Sequence, residues 1–166
     1  MPDVPEFAYA RSFAAPRALV WAAHTEAERL KRWWGPKGFT MTAATLDLRP
    51  GGLFHYGLET PGGQVLWGRF LYREVAAPER LVSVVSFSDE DGGIARHPFV
   101  PSWPLEVLST AVFTEDGAGR TALALTSVPL GASILEQRTF ADGFASMTAG
   151  FEASCAQLDA YLKTAA

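Results

Sequence analysis

Residues 133–163 read SILEQRTFADGFASMTAGFEASCAQLDAYLK, and the fold turns on them. Phe140, Phe144, Met147, Phe151, Cys155, Leu158 and Leu162 recur at spacings of four and three, which puts them on one apolar stripe of an α-helix. Ser133 and Glu136 make a capping box at its start, each satisfying a backbone N–H that the helix leaves unpaired. The period predicts one long helix over 133–163, with Gly143 and Gly150 as weak points. A monomer cannot leave such a stripe in water, so a sheet must cover it. Phe144, Met147, Phe151 and Leu158 are expected to be buried there, and Phe151→Ala to cost roughly 3–5 kcal/mol.

The upstream sequence supplies that sheet. Phe7, Tyr9, Arg11 and Phe13 alternate with small residues, the period of a strand. Pro16 then opens a short helix at its first position, and Thr25-Glu26-Ala27-Glu28 reads as a capping box opening a second, which Gly35-Pro36 stops. From Thr40 to Ser127 the signal is strands, with apolar runs at 40–48, 53–59, 65–75, 80–88, 105–114 and 120–128 separated by Gly, Pro and Asp turns. The 80–88 run is apolar on both faces and reads as central. Residues 89–104 are rich in glycine and proline and read as a long loop; Phe99 and Trp103 on it predict a lid folded back onto the domain. The order predicts an α+β architecture: a curved seven-stranded antiparallel sheet wrapped around the long C-terminal helix, with two short helices after the first strand. At 166 residues the chain reads as one domain spanning 1–166.

Composition narrows the partners. Fourteen Lys plus Arg against eighteen Asp plus Glu give a formal charge of −4, with no basic patch for nucleic acid or an anionic membrane. No apolar run reaches membrane-spanning length. Cys155 is the only cysteine, so no internal disulfide forms, and a cytoplasmic location is the expectation. His24, His55 and His97 lie far apart, and no metal-ligand spacing, nucleophile elbow or phosphate loop occurs; no catalytic residue, metal or cofactor is assigned. Gly117-Ala118-Gly119-Arg120-Thr121-Ala122 matches a lax dinucleotide pattern, yet it precedes a strand and reads as a hairpin turn.

Aromatic residues exceed what one helix on one sheet can touch, which predicts a partly open internal cavity. Trp34, Phe54, Tyr56, Trp67, Phe87, Trp103, Phe144, Met147 and Phe151 are the candidate lining, with His55, Arg69 and His97 as candidate polar contacts. Replacing Trp67 or Phe144 is expected to weaken binding more than replacing any of the three polar residues. His24 reads as structural, in a tight turn between the two short helices.

The runs Arg11-x-Phe13-x-Ala15-Pro16, Val20-Trp21-x-Ala23, Trp33-Trp34-Gly35-Pro36, Asp47-x-Arg49-Pro50-Gly51-Gly52, Tyr72-x-Glu74-Val75, Pro78-Glu79-Arg80-Leu81 and Gly150-Phe151-x-x-Ser154-x-x-x-Leu158-x-x-Tyr161-Leu162, in order, carry a resemblance. The chain resembles the activator of heat-shock protein 90 ATPase homologue family, within the START-like, helix-grip (SRPBCC) superfamily. That resemblance implies a helix-grip domain with an apolar cavity, among relatives that bind lipids, sterols or polyketides, and implies no shared catalytic set. The first expectation is a non-catalytic binder of a small hydrophobic or aromatic molecule. A polyketide cyclase or aromatase-like enzyme is the second, and a protein-interaction module of the co-chaperone kind the third. A second copy of the chain, giving a homodimer, is carried as a candidate partner.

Overall fold

A computed structural model describes residues 4–165. The chain runs β1 (Phe7–Phe13), α1 (Arg17–Thr25), α2 (Ala27–Trp33), β2 (Thr40–Leu46), β3 (Leu53–Glu59), β4 (Val65–Ala76), β5 (Arg80–Ser88), β6 (Ile94–Ala95), β7 (Glu106–Glu115), β8 (Thr121–Leu130), α3 (Ile134–Asp142) and α4 (Phe144–Ala165). The strands form an antiparallel sheet in the order β1-β8-β7-β5-β4-β3-β2, with β6 paired to β5 beside that path. This is the α+β helix-grip arrangement, with β5 near the middle as its two-faced apolar run requires. The eighth strand, β6, is a two-residue pairing inside the 89–104 segment expected to be loop throughout.

Register fixes which side chains meet the helices. Tyr56 pairs with Gly68 and Gly57 with Trp67 across β3 and β4. A Cβ on residue 68 would lie 2.4 Å from the Tyr56 hydroxyl, and one on residue 57 would lie 2.8 Å from the Trp67 ring. Each aromatic ring therefore lies across the bare glycine opposite it, Tyr56 on the concave face and Trp67 on the convex one.

α4 is fastened at the β1 edge. Phe151 stacks on Phe7 and Tyr9 at 5.7 Å, and Arg11 bonds Glu152 at 2.9 Å and also Asp159. The helix over 133–163 is broken rather than single: Gly143 caps α3 before α4 begins. A Cβ on residue 143 would lie 3.0 Å from the Trp103 ring, so the loop's indole seats on the bare glycine at the break. The Ser133–Glu136 capping box forms as expected.

Of the four stripe residues, Leu158 is fully buried, whereas Phe144, Met147 and Phe151 are half-buried. Met147 and Phe151 border open space, so Phe151→Ala removes less packing than the 3–5 kcal/mol range for a fully buried ring implies. The Thr25–Glu28 box does not form. Thr25 is the last residue of α1 and its hydroxyl donates to the Trp21 carbonyl at 2.8 Å; only Glu26 separates the two helices and serves as the N-cap of α2. Pro16 sits one position earlier than expected, as the N-cap of α1.

Candidate functional site

A cavity of about 510 Å³ lies between the concave face of the sheet and the helices. Trp33 and Trp34 close it from the end of α2, Phe54, Tyr56, Phe70 and Tyr72 from β3 and β4, and Phe140, Met147 and Phe151 from α3 and α4. The indole of Trp34 meets Phe54, Tyr56 and Phe70 edge-on, with centroids 6.3, 6.0 and 5.6 Å away. Rings held edge to face brace one another without filling the space between them.

No Asp, Glu, Lys or Arg lines the cavity among the described residues. Its titratable groups are all held neutral near pH 7. Burial pushes the Tyr56 phenol up to about 12, the Tyr72 phenol higher still and the Cys155 thiol up to about 11. Burial likewise pushes the His24 imidazole down to about 4. His24 Nδ1 donates to the Val20 carbonyl at 2.8 Å, which leaves Nε2 as the unprotonated nitrogen. The ring stands edge-on to Trp33 and Phe113 at 4.9 and 5.1 Å.

Of the nine candidate lining residues, Trp34, Phe54, Tyr56, Phe87, Trp103, Met147 and Phe151 border the cavity. Trp67 does not. Phe70 and Tyr72 point inward, so strand alternation turns Trp67 to the convex face, where it stacks on His55 at 5.2 Å with planes 16° apart. Phe144 is also absent from the lining, being wedged between Phe7 and Phe140 with centroids 5.5 and 5.4 Å away.

The three candidate polar contacts lie elsewhere. His55 shares the convex face with Trp67, and its Nε2 donates to the Asp89 carbonyl at 3.1 Å. Arg69, its register partner, donates to the Gly92 carbonyl at 2.8 Å, so both side chains fasten the 89–93 turn. His97 is in the loop, where Nδ1 accepts from the Phe99 and Val100 N–H groups at 3.0 and 3.1 Å. Burial lowers its pKa. Its ring lies 4.4 Å from Phe87, behind the cavity wall rather than in it.

The loop folds back through part of its length. Trp103 and Pro104 border the cavity, Arg96 bonds Glu136 at 2.6 Å, and Thr139 donates to Ser102 at 2.8 Å. Phe99, expected to turn inward, is instead 65% exposed, because the turn fastened by His97 presents it outward. Residues missed by sequence reasoning include His24, Tyr72 and a set of serines; His24 belongs to the last turn of α1, not to a loop between helices.

No helix among the described residues is long and apolar enough to cross a membrane. The family model described as Activator of Hsp90 ATPase homolog 1-like protein matches residues 14–163. No curated protein matches the sequence. A solved protein from Nitrosomonas europaea is similar at 24% identity and TM-score 0.74, covering 97% of this chain and 96% of its own. One from Arthrobacter aurescens has 26% identity and TM-score 0.75, with 96% and 86% covered. The AHSA1 protein from Silicibacter pomeroyi has 20% identity and TM-score 0.66, with 98% and 100% covered. With a family model spanning nearly its whole length and this fold, the chain belongs to the Activator of Hsp90 ATPase homolog 1-like family.

Proposed function

We propose that the protein binds a small, uncharged hydrophobic or aromatic molecule inside the sheet-and-helix cavity. The family fold supports a ligand-binding or interaction module, and the observation that favours ligand binding is the charge-free, aromatic-walled space of about 510 Å³. That volume lies inside the range of roughly 300–1,000 Å³ common to small-molecule pockets. A charged ligand would enter it without a counter-charge, whereas an apolar one gains about 0.8 kcal/mol for each CH₂ it buries. The cyclase reading would need a proton-transfer group matched to neutral pH. His24, at about 4, is too weak a base for that task.

Naphthalene, 2-methylnaphthalene and 2,6-dimethylnaphthalene titrated against the protein, read through Trp33, Trp34 and Trp103 fluorescence and by calorimetry, test the reading. Affinity is expected to rise about fourfold per added methyl, with a negative heat-capacity change. His55→Ala and Arg69→Ala, on the convex face, are expected to leave it within about 1 kcal/mol. No saturable binding of any of the three probes would overturn the reading.

A further inference from the structure

We propose that Tyr72, Ser83, Ser109 and Ser127 form one oxygen-recognition subsite on the cavity floor, and that the occupant is an uncharged, mainly apolar ring compound bearing a hydroxyl or carbonyl oxygen. The inference rests on the cavity being a ligand site, and it adds the chemical class of the ligand. Tyr72 of β4 pairs directly with Ser83 of β5, Ser83 with Ser109 of β7, and Ser109 with Ser127 of β8. Directly opposed residues of antiparallel strands share a face, with Cβ atoms about 4.5–5.5 Å apart. Four hydroxyl side chains therefore cross four neighbouring strands in a single row, and all four border the cavity.

The row stands out from its surroundings. One step along the same face, the floor is Leu81 and Val85 on β5, Val107 and Ala111 on β7, and Leu125 on β8. Ser109 Oγ and Ser127 Oγ bond each other at 2.8 Å. Burial raises the Tyr72 phenol, and no side-chain hydrogen bond involves its oxygen among the described residues, so its O–H remains available to donate. Hydroxyls rotate to donate or accept, which suits a ligand hydroxyl or carbonyl equally. A carboxylate or ammonium group would need a charged partner, and none lines the cavity among the described residues. A plain hydrocarbon would offer the Tyr72 and Ser83 hydroxyls no partner, which buried hydroxyls disfavour.

The test compares 2-naphthol with 2-methylnaphthalene, in which a methyl stands in place of the hydroxyl. Dissociation constants are measured for the unaltered protein, for Ser83→Ala, for Tyr72→Phe and for the double variant. The double variant is expected to bind 2-naphthol about tenfold more weakly, the 1.4 kcal/mol of one net hydrogen bond, while its affinity for 2-methylnaphthalene stays within about twofold. Ser83→Ala alone, which removes one oxygen atom, is expected to move the ratio of the two constants in the same direction. If the unaltered protein takes up both probes and the variants shift them equally or not at all, the oxygen subsite is overturned while the ligand-site reading stands. If it takes up neither probe, both fall.

Discussion

Phe113→Ala is expected to destabilise the protein by about 3–5 kcal/mol in urea unfolding, the range for deleting a fully buried aromatic ring. Phe113 is 1% exposed on β7 and holds Trp21 and His24 edge-on at 5.4 and 5.1 Å. It is the ring on which α1 sits, and it faces packed side chains rather than the cavity. Phe151→Ala is expected to cost less, because part of the Phe151 surface already borders open space. Equal losses at the two positions would contradict a packed end beside a hollow one, and a Phe113→Ala loss under about 1 kcal/mol would contradict the seating of α1.

Acidification from pH 7 to pH 4 is expected to remove about 3 kcal/mol of stability through His24 alone. Burial pushes this imidazole down to about 4, against about 6.5 in an unfolded chain. Between those values the unfolded chain binds the proton and the native one resists it, so stability is complete above pH 6.5 and declines as pH falls toward 4. His97, also lowered by burial, acts in the same direction. Urea midpoints measured at intervals from pH 7 to pH 4 read the slope, and His24→Gln is expected to flatten it. An unchanged slope in His24→Gln would show that the acid sensitivity arises elsewhere.

The helix-grip fold was legible because its signals are local and repeated: the spacing of apolar residues from Phe140 to Leu162, the period of two in β1, and a turn signal between successive sheet strands. What escaped was set by distant partners. The break falls at Gly143, one of the two glycines that read as weak points, but the contact that accompanies it comes from Trp103, forty residues earlier in the chain, which no local pattern announces. Thr25 lost its cap role because α1 runs through it and uses its hydroxyl on the Trp21 carbonyl. Trp67 is a different kind of miss, since the information was present. Once Phe70 and Tyr72 are assigned to the inner face, alternation along β4 sends Trp67 outward. The serine row could not be seen before the register was known. Ser83, Ser109 and Ser127 are ordinary strand residues until β5, β7 and β8 are laid side by side.

A small, uncharged hydrophobic or aromatic molecule is proposed to occupy the interior. Intermolecular nuclear Overhauser effects between bound 2-naphthol and protein methyl groups test it most directly. Contacts are expected to Leu30, Val85, Leu125 and Met147, which border the cavity from α2, β5, β8 and α4. Contacts confined to Ile134 and Leu135, which are 66% and 64% exposed on α3, would contradict it.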